Sequence, residues 1–216
     1  MNFKPILFNT EMVKAILEGR KTQTRRIIHG LESLQYHNFM PCDESYETRD
    51  RWDFWYGSQD EDGAFHDSVI SVNAPCSVGD ILWVREKWQH IYGGYKYAAY
   101  CDASNGSAHK IVWVDVQGKE LPWHPSIHMP KEASRIFLRV TDIHVEWLHE
   151  MDEEAAIAEG FEDSPAGTDS PLERFTTLWD KTVKREDLRY YGYHANPLVW
   201  VITFERCDRP EGWPAL

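Results

Sequence analysis

Strand-like apolar segments outnumber helical patterns in this chain, and the two do not alternate. Pro5-Ile6-Leu7-Phe8, the extended stretch ending in Ile27-Ile28, Ile81-Leu82-Trp83-Val84 and Val199 to Phe204 read as strands. So do Arg135 to Val145, where Ile136, Leu138 and Val140 fall on one side, and a hairpin that pairs Tyr95–Tyr100 with Ile111–Val114 across the turn-rich Asp102 to Gly106. Helical spacing appears in only three places. A doubly wound sheet needs a helix after each strand, so the pattern instead fits an α+β fold built on a small antiparallel or mixed β-barrel with flanking helices.

Each helix carries its own boundary signals. Thr10 is the expected N-cap of a helix over 10–18, with Met12, Val13, Ile16 and Leu17 on one face and Gly19 as its stop. Asp152 is the expected N-cap of a short helix that ends at Glu159 and is stopped by Gly160. Pro171 to Thr182 is the third, with Leu172, Phe175, Leu178 and Trp179 spaced by three and four. Residues 29–75 read as an acidic insertion with little regular structure beyond one hairpin, turning near Asp62-Gly63. Residues 207–216 read as a flexible tail. The 216 residues therefore form one domain.

Charge is unevenly placed. The chain carries a formal net charge of -12, yet Gly19-Arg20-Lys21-Thr22-Gln23-Thr24-Arg25-Arg26 holds four cations and two hydroxyls. Residues 145–180, by contrast, hold eleven acids against the single base Arg174. Such a surface opposes non-specific binding of long nucleic acid but leaves a local site for a nucleoside or a short RNA or DNA segment. A basic cluster of this kind either holds an anionic ligand or crowds a lysine until it becomes a usable base; the plain alternative is a solvated turn. No apolar run is long enough for a membrane helix, and residues 1–5 lack the apolar stretch of an export signal, so a cytoplasmic protein is expected. Cys42, Cys76, Cys101 and Cys207 form no CxxC pair, which argues for free thiols and against structural zinc. His124 and His128 are four apart, but Pro122, Pro125 and Pro130 forbid the helix that would make them a metal pair, so no metal or other cofactor is expected.

Three of these features together resemble the ASCH domain family, whose fold is similar to the PUA barrel. They are the helix entering the Gly19–Arg26 run, Val78-Gly79-Asp80-Ile81-Leu82 entering a strand, and the apolar strand Val199–Phe204. Lys4–Phe8, Trp83-Val84-Arg85-Glu86, Pro125–Pro130 and Ala156-Ile157-Ala158-Glu159-Gly160 extend the likeness to the larger, prophage-type members, over about residues 4–206. The resemblance implies RNA or nucleoside binding. A small bacterial member hydrolyses the acetyl amide of N4-acetylcytidine with a lysine, a threonine and a glutamate. The lysine and threonine lie in a Gly-Arg-Lys-Thr-x-Thr run that matches Lys21 and Thr24 here. The glutamate lies on a helix between the last two barrel segments and matches Glu159, with Glu153 and Glu154 on the same helix.

In that chemistry Thr24 supplies the hydroxyl nucleophile or positions a water, Lys21 is the base, and Glu159 orients the lysine or relays a proton. Arg26 or the loop backbone faces the oxyanion, while Arg20 and Arg25 tune or orient. In a regular strand Lys21 and Thr24 would point to opposite faces, so the pair converges only if the segment turns after Gly19 or is helical through Thr24. Arg85 and Glu86 either line the same pocket or form a structural ion pair. Trp123, in the proline-pinned loop, is the stacking candidate, and Trp83, Trp113 and Trp200 belong to the core. His128 is a hydrogen-bonding candidate in that loop. The expected function is hydrolysis of an N-acyl amide on a base; the alternatives are a non-catalytic nucleic-acid reader and a ribonuclease.

Overall fold

In the computed structural model, ten strands and five α-helices occupy the described residues, 1–31, 36–42, 49–59, 65–91, 93–101, 118–163 and 167–214. The main sheet has five strands in the order β1 (Phe3–Leu7), β6 (Ile81–Arg85), β9 (Phe137–Trp147), β10 (Leu198–Cys207), β2 (Gln23–Ile27). β1 runs parallel to β6, and the other pairs are antiparallel. The fold is α+β as expected. The expected barrel is not closed by hydrogen bonding: β1 and β2 are the two edges, and no ladder joins them among the described residues.

β10 shows why a continuous apolar run marks a central strand. Val199 and Val201 pack toward α3 (Glu153–Ala158) and α4 (Pro171–Thr182), whereas Trp200, Ile202 and Phe204 enter the main core on the other face. A strand covered on both sides has no polar face to present. The helix ends follow their caps. Asp152 Oδ1 accepts from the Ala155 amide at 2.8 Å at the start of α3, and Ser170 with Glu173 forms a capping box ahead of Pro171 in α4. For α1 (Thr10–Leu17) the expected cap is one residue off: Asn9 Oδ1 accepts from Met12 N at 2.8 Å, so Asn9 is the N-cap and Thr10 is the first helical residue.

The segment read as a loosely structured insertion is more regular than expected. It contributes an antiparallel sheet of β3 (Tyr36–Pro41), β4 (Arg51–Gln59) and β5 (Phe65–Asn73). Trp52 and Phe54 of β4 are buried in the main core, edge-on to Trp200 at 6.0 and 6.4 Å between ring centres. The expected turn at Asp62-Gly63 lies outside the described residues. So do Asp102–Gly106, Ile111–Val114 and Trp113. Within them, Tyr95–Tyr97 has another partner: β7 (Trp88–Ile91) pairs with β8 (Gly94–Tyr97), and the chain then enters the short helix α2 (Ala98–Cys101). The last helix, α5 (Leu188–Tyr191), precedes β10.

The expected flexible tail is anchored. Trp213 is buried and meets Phe3, Trp83 and Phe137 edge-on, while the Lys131 ammonium sits 4.4 Å from its ring centre. Four apolar residues before the end of the chain were too few to show a period, and the partners are distant in sequence. Trp213→Ala is expected to lower unfolding stability by about 3 kcal/mol in a chemical denaturation curve. A loss below about 1 kcal/mol would return the segment to the status of a tail.

Candidate active site

The basic run reaches the site through a turn. α1 ends at Gly19, whose φ of +78° suits glycine, and its amide donates to Ile16 O at 3.1 Å. The Arg20 and Lys21 amides both donate to Ala15 O, at 2.9 and 3.1 Å. Thr22 N then donates to Ala158 O at 2.8 Å, docking the segment on the end of α3 before β2 begins at Gln23. Lys21 therefore lies outside the strand alternation that would have set it opposite Thr24. Both residues line one cavity of about 860 Å³, and Glu159 lines it too.

Lys21, Thr24 and Glu159 are all buried, with 3%, 1% and 4% of their surface exposed, so water does not screen what passes between them. Lys21 Nζ donates to Glu159 Oε2 at 2.5 Å, to Glu159 O at 2.8 Å and to Gln23 O at 2.8 Å. Its three donors are thus all used. Two of the acceptors sit at the C-terminal end of α3, where the helix carbonyls favour a cation. Burial pushes the Lys21 amine below its ordinary value of 10.5; Glu159 opposes that shift, and Arg26 and Arg25 add to it. Thr24 Oγ1 accepts from Arg26 Nη1 at 2.9 Å, which leaves its own proton free to be given away.

Arg25 is also buried and ties the site to the sheet. Its Nε donates to Glu146 Oε1 at 2.7 Å, and Nη1 lies 3.5 Å from Glu159 Oε1 without forming an aligned hydrogen bond. Glu146 in turn neighbours His144, whose Nδ1 is 2.8 Å from Asp142 Oδ2. Asp142, His144 and Glu146 share one face of β9, two strands away from β2 and level with Arg25 through Val201. Neither Glu146 nor His144 stood out in the sequence, because the strand pairing that brings them to Arg25 spans more than a hundred residues. Phe8 was missed as well: its ring centre is 5.4 Å from Lys21 Nζ and 5.5 Å from the Arg26 guanidinium carbon. An apolar residue ending a strand gives no signal that cations will stack on it.

The other expected site residues divide. Arg25, Arg26 and Arg85 line the cavity. Arg20 points out of it, to Glu18, to Glu162 at 3.0 Å and to Gly160 O at 2.9 Å. Glu86 is not a cavity residue: it is a buried carboxylate gripped by Arg135 at 2.8 and 2.9 Å, the structural ion pair that was the alternative reading. Burial pushes its carboxyl above the ordinary value and Arg135 opposes this. Trp123 is half-buried beside Lys87, with the ammonium 5.8 Å from its ring centre, and His128 is exposed; neither reaches the cavity. Trp200, expected in the core, is there and also forms part of the cavity wall. Glu153 and Glu154 are exposed on α3, and Glu153 accepts from Leu172 N at 3.1 Å, so Glu159 is the α3 carboxylate that meets Lys21.

Among the described residues no three His, Cys, Asp or Glu side chains are grouped to hold a metal ion, and no helix is long and apolar enough to cross a membrane. No protein-family model matches the chain, and no curated protein matches its sequence. Among solved structures it is similar to protein EF3133 from Enterococcus faecalis V583, of the DUF984 family, at 12% identity and a TM-score of 0.36. The match covers 90% of this chain and 66% of that one, just under two thirds of its length, and a likeness this slight identifies neither fold family nor activity.

Proposed function

We propose that this protein binds a nucleoside or modified base in the cavity beside residues 19–26 and hydrolyses an N-acyl amide on it, with N4-acetylcytidine as the leading substrate. The observation that carries the reading is the meeting of Lys21, Thr24 and Glu159 in one largely apolar cavity that opens to solvent, with Lys21 2.5 Å from the Glu159 carboxylate. The ASCH-like, PUA-like reading of the fold draws support from the curl of the sheet. Arg26 of β2 donates to Leu7 O at the end of β1 at 3.2 Å, so the two edges come within one side chain of each other.

The chemistry follows from the contacts. Passing one proton from Lys21 to Glu159 leaves a neutral amine with a lone pair. Thr24 Oγ then adds to the acyl carbon as its proton passes to that amine, with Arg26 beside the developing charge. The carbon–nitrogen bond breaks, the exocyclic nitrogen takes the proton back from Lys21, and cytidine leaves. Water hydrolyses the acyl-threonine ester to acetate and restores Thr24. A second reading, a non-catalytic binding module, is favoured by one observation: all three Lys21 donors are filled, which is the pattern of an ammonium without a lone pair.

Incubation with N4-acetylcytidine separates the two. The hydrolase reading expects release of cytidine and acetate, lost in Lys21→Ala, with kcat/KM rising with pH and levelling off below 10.5, since the base must be deprotonated and its pKa is lowered. Nucleoside binding without turnover by the wild type would leave the module.

A further inference from the structure

The cavity wall holds more positive charge than its own carboxylates neutralise. Lys4, Lys21, Arg25, Arg26 and Arg85 line it, and Glu159 is the one acidic residue that does so among the described residues. Three of the five cations have a carboxylate of their own: Lys4 lies 3.8 Å from Asp80, Lys21 2.5 Å from Glu159 and Arg25 2.7 Å from Glu146. Among the described residues neither Arg26 nor Arg85 forms an ion pair, and of the carboxylates Arg26 feels only the more distant Glu159. Arg26 donates to the Thr24 hydroxyl and to the carbonyls of Arg25 and Leu7. Arg85 donates to Ile127 O and rests against the Trp83 ring, while its Nε–H is enclosed and donates to nothing. Both belong to the same part of the wall. Arg85 is the ladder partner of Leu7, and Arg26 bonds the Leu7 carbonyl from the other side.

Two half-buried guanidiniums with no ion pair of their own, facing one cavity, leave room for an anion that joins them. The residual charge of two matches a phosphate, and a guanidinium with unused N–H groups is the side chain best shaped to grip one. We propose that the ligand of this cavity carries a phosphate, held by Arg85 with Arg26 adding its charge, so that the physiological ligand is a nucleotide rather than a free nucleoside. The proposal rests on the base-binding reading above only for the identity of the group attached to the phosphate. The phosphate comes either from a free nucleoside monophosphate or from a strand.

Calorimetric titration of the full chain with cytidine, cytidine 5′-monophosphate, a cytidine-containing dinucleotide and inorganic phosphate tests it. At low salt the monophosphate is expected to bind at least about tenfold tighter than cytidine, with the difference shrinking as salt rises. In Arg85→Gln the ratio is expected to fall to within about twofold of one, and Arg85→Lys, which keeps the charge but not the fork, to fall between. Thermal melts of both variants establish that they are folded. An equal gain for the dinucleotide assigns the phosphate to a strand; a gain confined to the monophosphate assigns it to a free nucleotide. If cytidine does not bind but the monophosphate and inorganic phosphate do, through Arg85, the anion site stands and the base reading falls. A monophosphate no tighter than cytidine, an advantage that survives in folded Arg85→Gln, or no binding of any phosphate overturns the proposal.

Discussion

Lys21→Met is expected to lower unfolding stability by about 3–5 kcal/mol, a loss on the order of 10 °C in Tm for a chain of this size. Methionine fills the space of the lysine stem but offers no donor. Glu159 then keeps a buried carboxylate whose Oε1 already lacks an aligned partner, with Arg25 at 3.5 Å and the more distant Arg26 as the remaining cations. The carbonyls of Glu159 and Gln23 lose a donor at the same time. Charge removal on one side alone is what makes the variant costly, so Lys21→Met with Glu159→Gln should recover a substantial part of the loss. A single variant as stable as the wild type would mean that the pair contributes nothing net, as some buried pairs do. The pH dependence gives an independent sign. Burial holds the Lys21 amine below 10.5, so between that lowered value and 10.5 the unfolded chain binds the extra proton. Wild-type stability therefore gains from this group as pH rises through that window, and the gain is absent in Lys21→Met. If turnover of N4-acetylcytidine is present, it should fall by about 10² to 10⁴ in the same variant, the range associated with loss of a general base.

The contrast between legible and illegible parts of this molecule follows from sequence distance. α3 and α4 are written locally: Asp152, Gly160, Ser170 and Pro171 act on residues within one turn, so their boundaries could be read from the chain. β10 is legible because a strand buried on both faces is apolar throughout. The β3–β4–β5 sheet was not, because its strands mix acids with aromatics and only pairing to one another and to Trp200 shows which side is buried. At the site, Lys21 and Thr24 were legible as a motif, and Glu159 as the end of a helix. Their meeting was not, since it depends on the turn after Gly19 and on Thr22 docking to Ala158, a contact across 136 residues. Glu86 misled for the complementary reason: beside a cavity residue in sequence, it belongs to Arg135 in space.

Gly160→Ala should be the most damaging small substitution near the site, and the reason is the closeness of α1 to the end of α3. Gly160 has φ +95°, and a methyl group there would stand 2.8 Å from Ala15 Cβ and 3.0 Å from Lys21 Cβ. Both neighbours are held, Ala15 within α1 and Lys21 by its bonds to Glu159, so neither can move aside without disturbing the site. The left-handed backbone costs roughly 1–2 kcal/mol for a residue with a side chain, and overpacking roughly 1–3 more, giving about 2–5 kcal/mol in all. Gly19→Ala supplies the control. Gly19 also has positive φ, +78°, but nothing lies within 4 Å of its missing Cβ, so it should lose only the backbone part. The difference between the two variants in a denaturation experiment measures the contact of α1 with α3 that seats Lys21. Equal losses would show that this contact is slack and that the lysine is positioned by its hydrogen bonds alone. A larger loss for Gly160→Ala, together with weakened nucleotide binding at temperatures where the protein stays folded, would show that helix packing sets the distance from Lys21 to Glu159.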